Sequence, residues 1–148
     1  MNPSVSTLQK AEKEITIDFP IEKVKSSIIE VSNKFGTKYL LKNDGINEVF
    51  NTYHFSISNN LNPALADVSL QKIDESKTKL TISVTNCYGS LSSNSILAGL
   101  ANDYLLVLGK FLSGESIESI KETVKNSGCM ILILIGIASI ALMSFIAL

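Results

Sequence analysis

The last twenty residues, CMILILIGIASIALMSFIAL from Cys129 to Leu148, carry no Asp, Glu, Lys, Arg or His and only two hydroxyl side chains, Ser139 and Ser144. A helix needs roughly 20 apolar residues to cross the hydrocarbon core of a bilayer. A surface helix of a globular body normally keeps a polar stripe, and this run has none. The two serines can return their hydroxyls to carbonyls one turn earlier, so lipid tolerates them. The run is therefore predicted to be one transmembrane anchor. Cys129, Met130, Ile131 and Leu132 form its entry, Gly136, Ser139 and Ser144 are small residues within it, and Leu148 is its end. Gly136 and Ser144 share a face, but no GxxxG motif accompanies them.

The opening MNPSVSTLQKAEKEITI holds no apolar stretch of signal-peptide length. An anchor made last implies insertion after synthesis. Lys121 and Lys125 flank the span on the body side and nothing basic follows it. Both features predict a single-pass membrane protein with its body in the cytoplasm.

Charge excludes one class of partner. All 13 basic residues of the 148 are lysine, against 14 acidic ones, for a net charge of −1. Arginine is the residue suited to bidentate contact with phosphates and guanine edges. A chain without it and without a basic excess is not expected to bind nucleic acid. The expected partners are membrane lipid, through the C-terminal helix, and a protein partner or a second copy of the chain.

The body divides into a disordered start over 1–11, an α+β domain over 12–114 and a helical connector over 115–128, ahead of the anchor at 129–148. Glu14 to Phe19 alternates, with Ile15, Ile17 and Phe19 on one side, and predicts a first strand. Asp18 is a candidate cap and Pro20 suits a first helical turn. Ile21, Val24, Ile28, Val31 and Phe35 then make one helical stripe, which Gly36 is predicted to close in the left-handed conformation.

Four strands are predicted next. The first, Thr37–Lys42, ends at Asn43-Asp44-Gly45, a hairpin signal. Glu48–Ser58 turns Val49, Tyr53, Phe55 and Ile57 to one side, Leu65–Ile73 turns Ala66, Val68 and Leu70, and Lys79–Tyr88 turns Leu80, Ile82 and Val84. Short turns between consecutive strands make an antiparallel meander with one buried face. A long helix follows over Asn94–Ser113, stopped by Gly114. Its core stripe is Ile96, Leu97, Leu100, Ala101, Tyr104, Leu105, Leu108, Phe111 and Leu112. The order β-α-β-β-β-β-α predicts a two-layer sandwich with both helices on one face.

The segment IDFPIEKVKSSIIEV resembles the strand and proline-started helix that open the helix-grip proteins related to START and Bet v 1-like domains. A sheet followed by a long C-terminal helix is similar to their ending. The resemblance spans the body without a diagnostic motif, and the body lacks their second short helix and some strands. It implies a helix-grip fold, whose members enclose an apolar cavity between sheet and long helix.

Chemistry is sparse. His54 is the only histidine and lies out of phase with Tyr53, Phe55 and Ile57, so it is expected on the polar face without a partner. No spacing supplies a triad or a zinc site around it. The glycines make no phosphate loop, and Ser90, Ser92, Ser93 and Ser95 lack a GxSxG frame. Cys87 and Cys129 form no motif. No catalytic, cofactor or metal residue is singled out. Leu106 and Val107 stand apart, because successive residues turn by about 100° and so leave the core stripe. They form a candidate contact surface. The favoured function is a membrane-tethered binding module, with a membrane-complex subunit and an unrecognised enzyme as alternatives.

Overall fold

The computed structural model describes residues 9–58, 63–87 and 93–126. The elements run β1 (Lys10–Ile17), α1 (Ile21–Lys34), β2 (Tyr39–Asn47), β3 (Thr52–Ile57), β4 (Ala64–Lys72), β5 (Thr78–Asn86), α2 (Asn94–Leu112) and α3 (Ile117–Asn126). The five strands form one antiparallel sheet in the order β1-β5-β4-β3-β2. This is the α+β architecture expected from the sequence. The predicted disordered start and membrane span lie largely or wholly outside the described residues.

The first and second strands are the two edges of the sheet, and α1 joins them. Four strand spacings separate those edges by about 19 Å. A 14-residue helix is about 21 Å long and so covers the distance. The helix turns Val24, Ile28 and Val31 inward, each 1% exposed or less, and packs on β2 and β4. The opposing sheet face is apolar throughout. Tyr53, Phe55, Ile57, Ala66, Val68, Leu80, Ile82 and Val84 are all 3% exposed or less. Period-two alternation in β3, β4 and β5 puts these side chains on one face and hydroxyls and charges on the other.

Two buried hydroxyls fasten the layers. Ser32 of α1 donates to the Tyr39 carbonyl at 2.7 Å and accepts from the Leu41 amide at 2.9 Å, linking the helix to edge strand β2. Thr78 at the start of β5 donates to the Phe19 carbonyl at 2.8 Å. That bond holds the β1–α1 junction to the sheet.

Several local expectations change. The first strand starts at Lys10, inside the segment expected to be disordered, because its whole length pairs with β5 from Lys10↔Thr85 to Ile17↔Thr78. Its charges hid the alternation. On an edge strand they pair with each other and with β5, as in Lys10–Glu12 and Lys79–Glu14. Pro20 is the N-cap of α1 and no side chain caps the helix, so Asp18 does not serve. Gly36 does not close α1 in the left-handed conformation. Among the described residues Gly114 is the glycine with positive φ, at 81°, where α2 stops.

The largest change is at the first hairpin. Asn43-Asp44-Gly45 lies within β2, and the chain turns at Glu48–Asn51 instead. The Asn47 side chain accepts the Phe50 amide at 3.2 Å and Asn51 takes φ of 51°, so two asparagines do the work expected of Asp-Gly. Val49, expected to face the core, is 84% exposed at the tip.

The chain divides into two compact units, residues 1–101 and 102–148. The second begins within α2, where Tyr104, Leu105, Leu108 and Leu112 are buried and Phe111 is half-buried. The third helix buries Ile120 and leaves its charged residues exposed. Among the described residues α2 is the one helix long and apolar enough to cross a membrane, with 44% of that stretch buried. Length and composition of this kind also fit a core helix.

Candidate functional site

The irregular middle of β2 shapes the only side-chain cluster with chemical potential that we find among the described residues. Leu41 pairs with Phe55 and Ile46 with Tyr53, so Lys42, Asn43, Asp44 and Gly45 all stand opposite the single residue His54. Such a bulge bends an edge strand and re-aims its side chains. Gly45 permits the close approach. A Cβ there would sit 2.8 Å from the Lys42 carbonyl oxygen and closer still to that of His54. The sequence signal at Asn43-Asp44-Gly45 was real, but it marks a bulge and not a hairpin.

The register of β3 and β4 sets His54 directly across from Asp67 on the outer face. The imidazole Nδ1 meets the Asp67 carboxylate Oδ1 in a hydrogen bond. A carboxylate can only accept, so Nδ1 carries the proton. That fixes the ring's orientation and leaves Nε2 as the atom available to a ligand. His54 is thus on the polar face, as its phase implied, but it has a partner. The residues are 13 apart in sequence, and only the β3–β4 register joins them.

Around this pair lies an open cleft of about 380 Å³ lined by Lys42, Asn43, Asp44, Leu65, His54, Asp67 and Thr85, among others. The lining mixes these polar side chains with apolar surface from Phe55, Leu65 and Ala66. The side chains of His54 and Asp67 are 44% and 57% exposed. An ion pair so exposed contributes only about 0–1 kcal/mol to stability. Among the described residues no three His, Cys, Asp or Glu side chains group as metal ligands.

Two titratable groups elsewhere are shifted. Burial, then the charges of Glu22 and Glu48, push the Tyr53 phenol above its ordinary value. The Ser76 amide and hydroxyl, at 2.7 and 3.0 Å, hold the Asp74 carboxyl below the usual range in the β4–β5 turn. Neither is part of the cleft.

Of the candidate contact pair, Val107 is 2% exposed and Leu106 is half-buried. Cys87 is half-buried and free. Cys129, Met130, Ile131, Leu132, Gly136, Ser139, Ser144 and Leu148 lie outside the described residues.

No family model matches the sequence, and no curated protein matches it. Solved structures do resemble the fold. CalU16 from Micromonospora echinospora superposes with a TM-score of 0.51 at 15% identity, over 82% of this chain and 84% of that one. Ara h 8.0201 superposes with a TM-score of 0.50 at 15% identity, over 80% and 99%. A START superfamily protein from Mycobacterium smegmatis gives 0.47 at 14% identity, over 71% and 94%. At these identities the likeness concerns the fold alone. The chain has the helix-grip fold of START and Bet v 1-like proteins.

Proposed function

We propose that this chain is a non-catalytic binding module, tethered to a membrane by residues 129–148, with the outer-face cleft as its ligand site. The observation that carries the ligand site is the His54–Asp67 pair within a cleft of about 380 Å³. That size falls within the roughly 300–1,000 Å³ of small-molecule sites. The mixed lining favours a small ligand that carries both polar and apolar groups. With Nδ1–H given to Asp67, the His54 Nε2 is left for a ligand, Asp44 adds a carboxylate and Lys42 supplies a donor.

The test is thermal stability of the full chain in lipid nanodiscs against a panel of small amines, polyols and amino acids. Compounds that raise Tm in the wild type should have no effect on His54→Ala and Asp67→Asn. Equal stabilisation of all three proteins would remove the cleft as the site.

The uncharged composition of 129–148 supports the tether, and Lys121 and Lys125 support a cytoplasmic body. The chain should float with phosphatidylcholine vesicles. Ile135→Lys with Ile140→Lys should abolish flotation, since each charge at the centre of a span costs about 3 kcal/mol. Recovery of the wild type in the soluble fraction would refute the tether. A contact with a protein partner or second copy is proposed at Leu106, the half-buried member of the pair, and not at Val107, which is buried. The Leu106→Ser change should lower any self-association without lowering Tm.

A catalytic reading rests on the same pair. An imidazole oriented by a carboxylate is the arrangement of a general base, and Thr85 is a nearby hydroxyl in the lining. Turnover of a stabilising ligand, lost in His54→Ala, would distinguish this reading from binding alone.

A further inference from the structure

One end of the sheet displays three large apolar side chains on two turns. Val49 and Phe50, at the tip of the β2–β3 hairpin, are 84% and 71% exposed, and Ile73, at the end of β4, is 52% exposed. The Leu70 amide donates to the Asn51 carbonyl at 3.0 Å, which places the start of β3 beside the last turn of chain in β4. Ile73 follows three residues on, where its amide donates to the Lys77 carbonyl at 3.0 Å. The two turns therefore project from the same end.

The hairpin tip is a built feature. The Asn47 side chain holds the Phe50 amide, and Asn51 adopts the left-handed conformation to close the turn. Hairpin tips are ordinarily polar, because they stand in water. Here polar residues fix the backbone while the two outermost side chains are apolar. Single exposed apolar residues need no explanation, but a group at one pole marks a contact.

We propose that Val49, Phe50 and Ile73 form a second point of contact with the bilayer, entering the headgroup–acyl boundary. The inference rests on the tether proposed for residues 129–148. It is favoured by how little chain separates body and span. The third helix ends at Asn126 and the uncharged run begins at Cys129. Three residue steps reach at most about 11 Å, so a span at 129–148 would hold the end of the third helix near the lipid and keep the rest of the chain within reach of it. A one-point tether leaves its orientation free, and an apolar pole that enters lipid sets it. The charges on the two turns, Glu48, Lys72, Asp74, Glu75 and Lys77, carry no basic excess. Insertion therefore depends on the apolar side chains, and neutral phosphatidylcholine suffices.

The sequence contains no tryptophan, so one substitution gives a single-site reporter. The full chain carrying Phe50→Trp is reconstituted in phosphatidylcholine vesicles, floated, and its indole exposed to iodide in water or to brominated acyl chains. Leu40→Trp is the reference, since Leu40 is 59% exposed at the start of β2, away from the tip. The F50W emission should be blue-shifted, quenched several-fold more by brominated lipid than that of L40W, and protected from iodide. Val49→Trp repeats the measurement and should agree. Equal iodide quenching of F50W and L40W in floated protein would overturn the tip contact and leave the tether standing. A blue shift that brominated lipid does not quench, and that dilution in lipid reverses, would assign the tip to a second copy and overturn it also. Failure to float would overturn the tether and the tip contact with it.

Discussion

Gly45 shows how one missing Cβ shapes the cleft. Backbone oxygens of Lys42 and His54 crowd the place a side chain would take. Gly45→Ala should therefore cost about 1–3 kcal/mol in chemical denaturation, the usual effect of overpacking, and should weaken ligand binding as the bulge opens. Ser32 is a second sensitive position. Its hydroxyl both donates and accepts within a buried contact, so Ser32→Ala leaves a carbonyl and an amide unsatisfied. A loss of about 1–3 kcal/mol is expected. His54→Ala should behave differently. The pair with Asp67 is exposed, so stability should fall by no more than about 1 kcal/mol while ligand stabilisation disappears. Asp74 gives a pH signature. Its carboxyl is held below the ordinary range by Ser76, so its contribution is present above the unfolded value. That contribution should be lost as pH falls through the lowered folded value, and absent in Asp74→Asn.

Elements were legible where one periodicity acted without competition. The stripe of α1 and the alternation of β3, β4 and β5 each report a single buried face, and Val24, Ile28, Val68 and Ile82 lie where that pattern put them. Edge strands were harder to read. In β1 the polar pairing positions carry Lys and Glu, so Lys10 to Lys13 resemble a solvated tail until β5 is laid beside them. In β2 the local Asn-Asp-Gly signal competes with continuation of the strand. The winning turn at Glu48–Asn51 contains no glycine and two large apolar residues. The His54–Asp67 contact was invisible for another reason: it depends on the β3–β4 register, which no short-range motif encodes. The bulge also has a dynamic consequence. Lys42 to Gly45 have no ladder partners between Leu41 and Ile46. Their amides should exchange with solvent roughly tenfold or more faster than those of Val68 and Ile82 in the central strands. Uniform protection along β2 would contradict the irregular pairing.

At the scale of the whole molecule, the sheet divides its duties between two faces. The inner face packs mainly apolar side chains against α1, and the outer face carries an open cleft around the single histidine. The helix-grip fold supplies the scaffold, and the bulge in β2 supplies the local geometry. That histidine also offers the most direct measurement. Because the sequence contains no other, the imidazole nitrogens of the full chain, labelled with ¹⁵N and held in nanodiscs, give one unambiguous pair of signals. In the ligand-free protein Nδ1 should appear protonated and bonded to Asp67. Any compound that raises Tm should move the Nε2 signal in proportion to its occupancy. If stabilising compounds bind while both ring signals stay fixed, the outer-face cleft is not the ligand site.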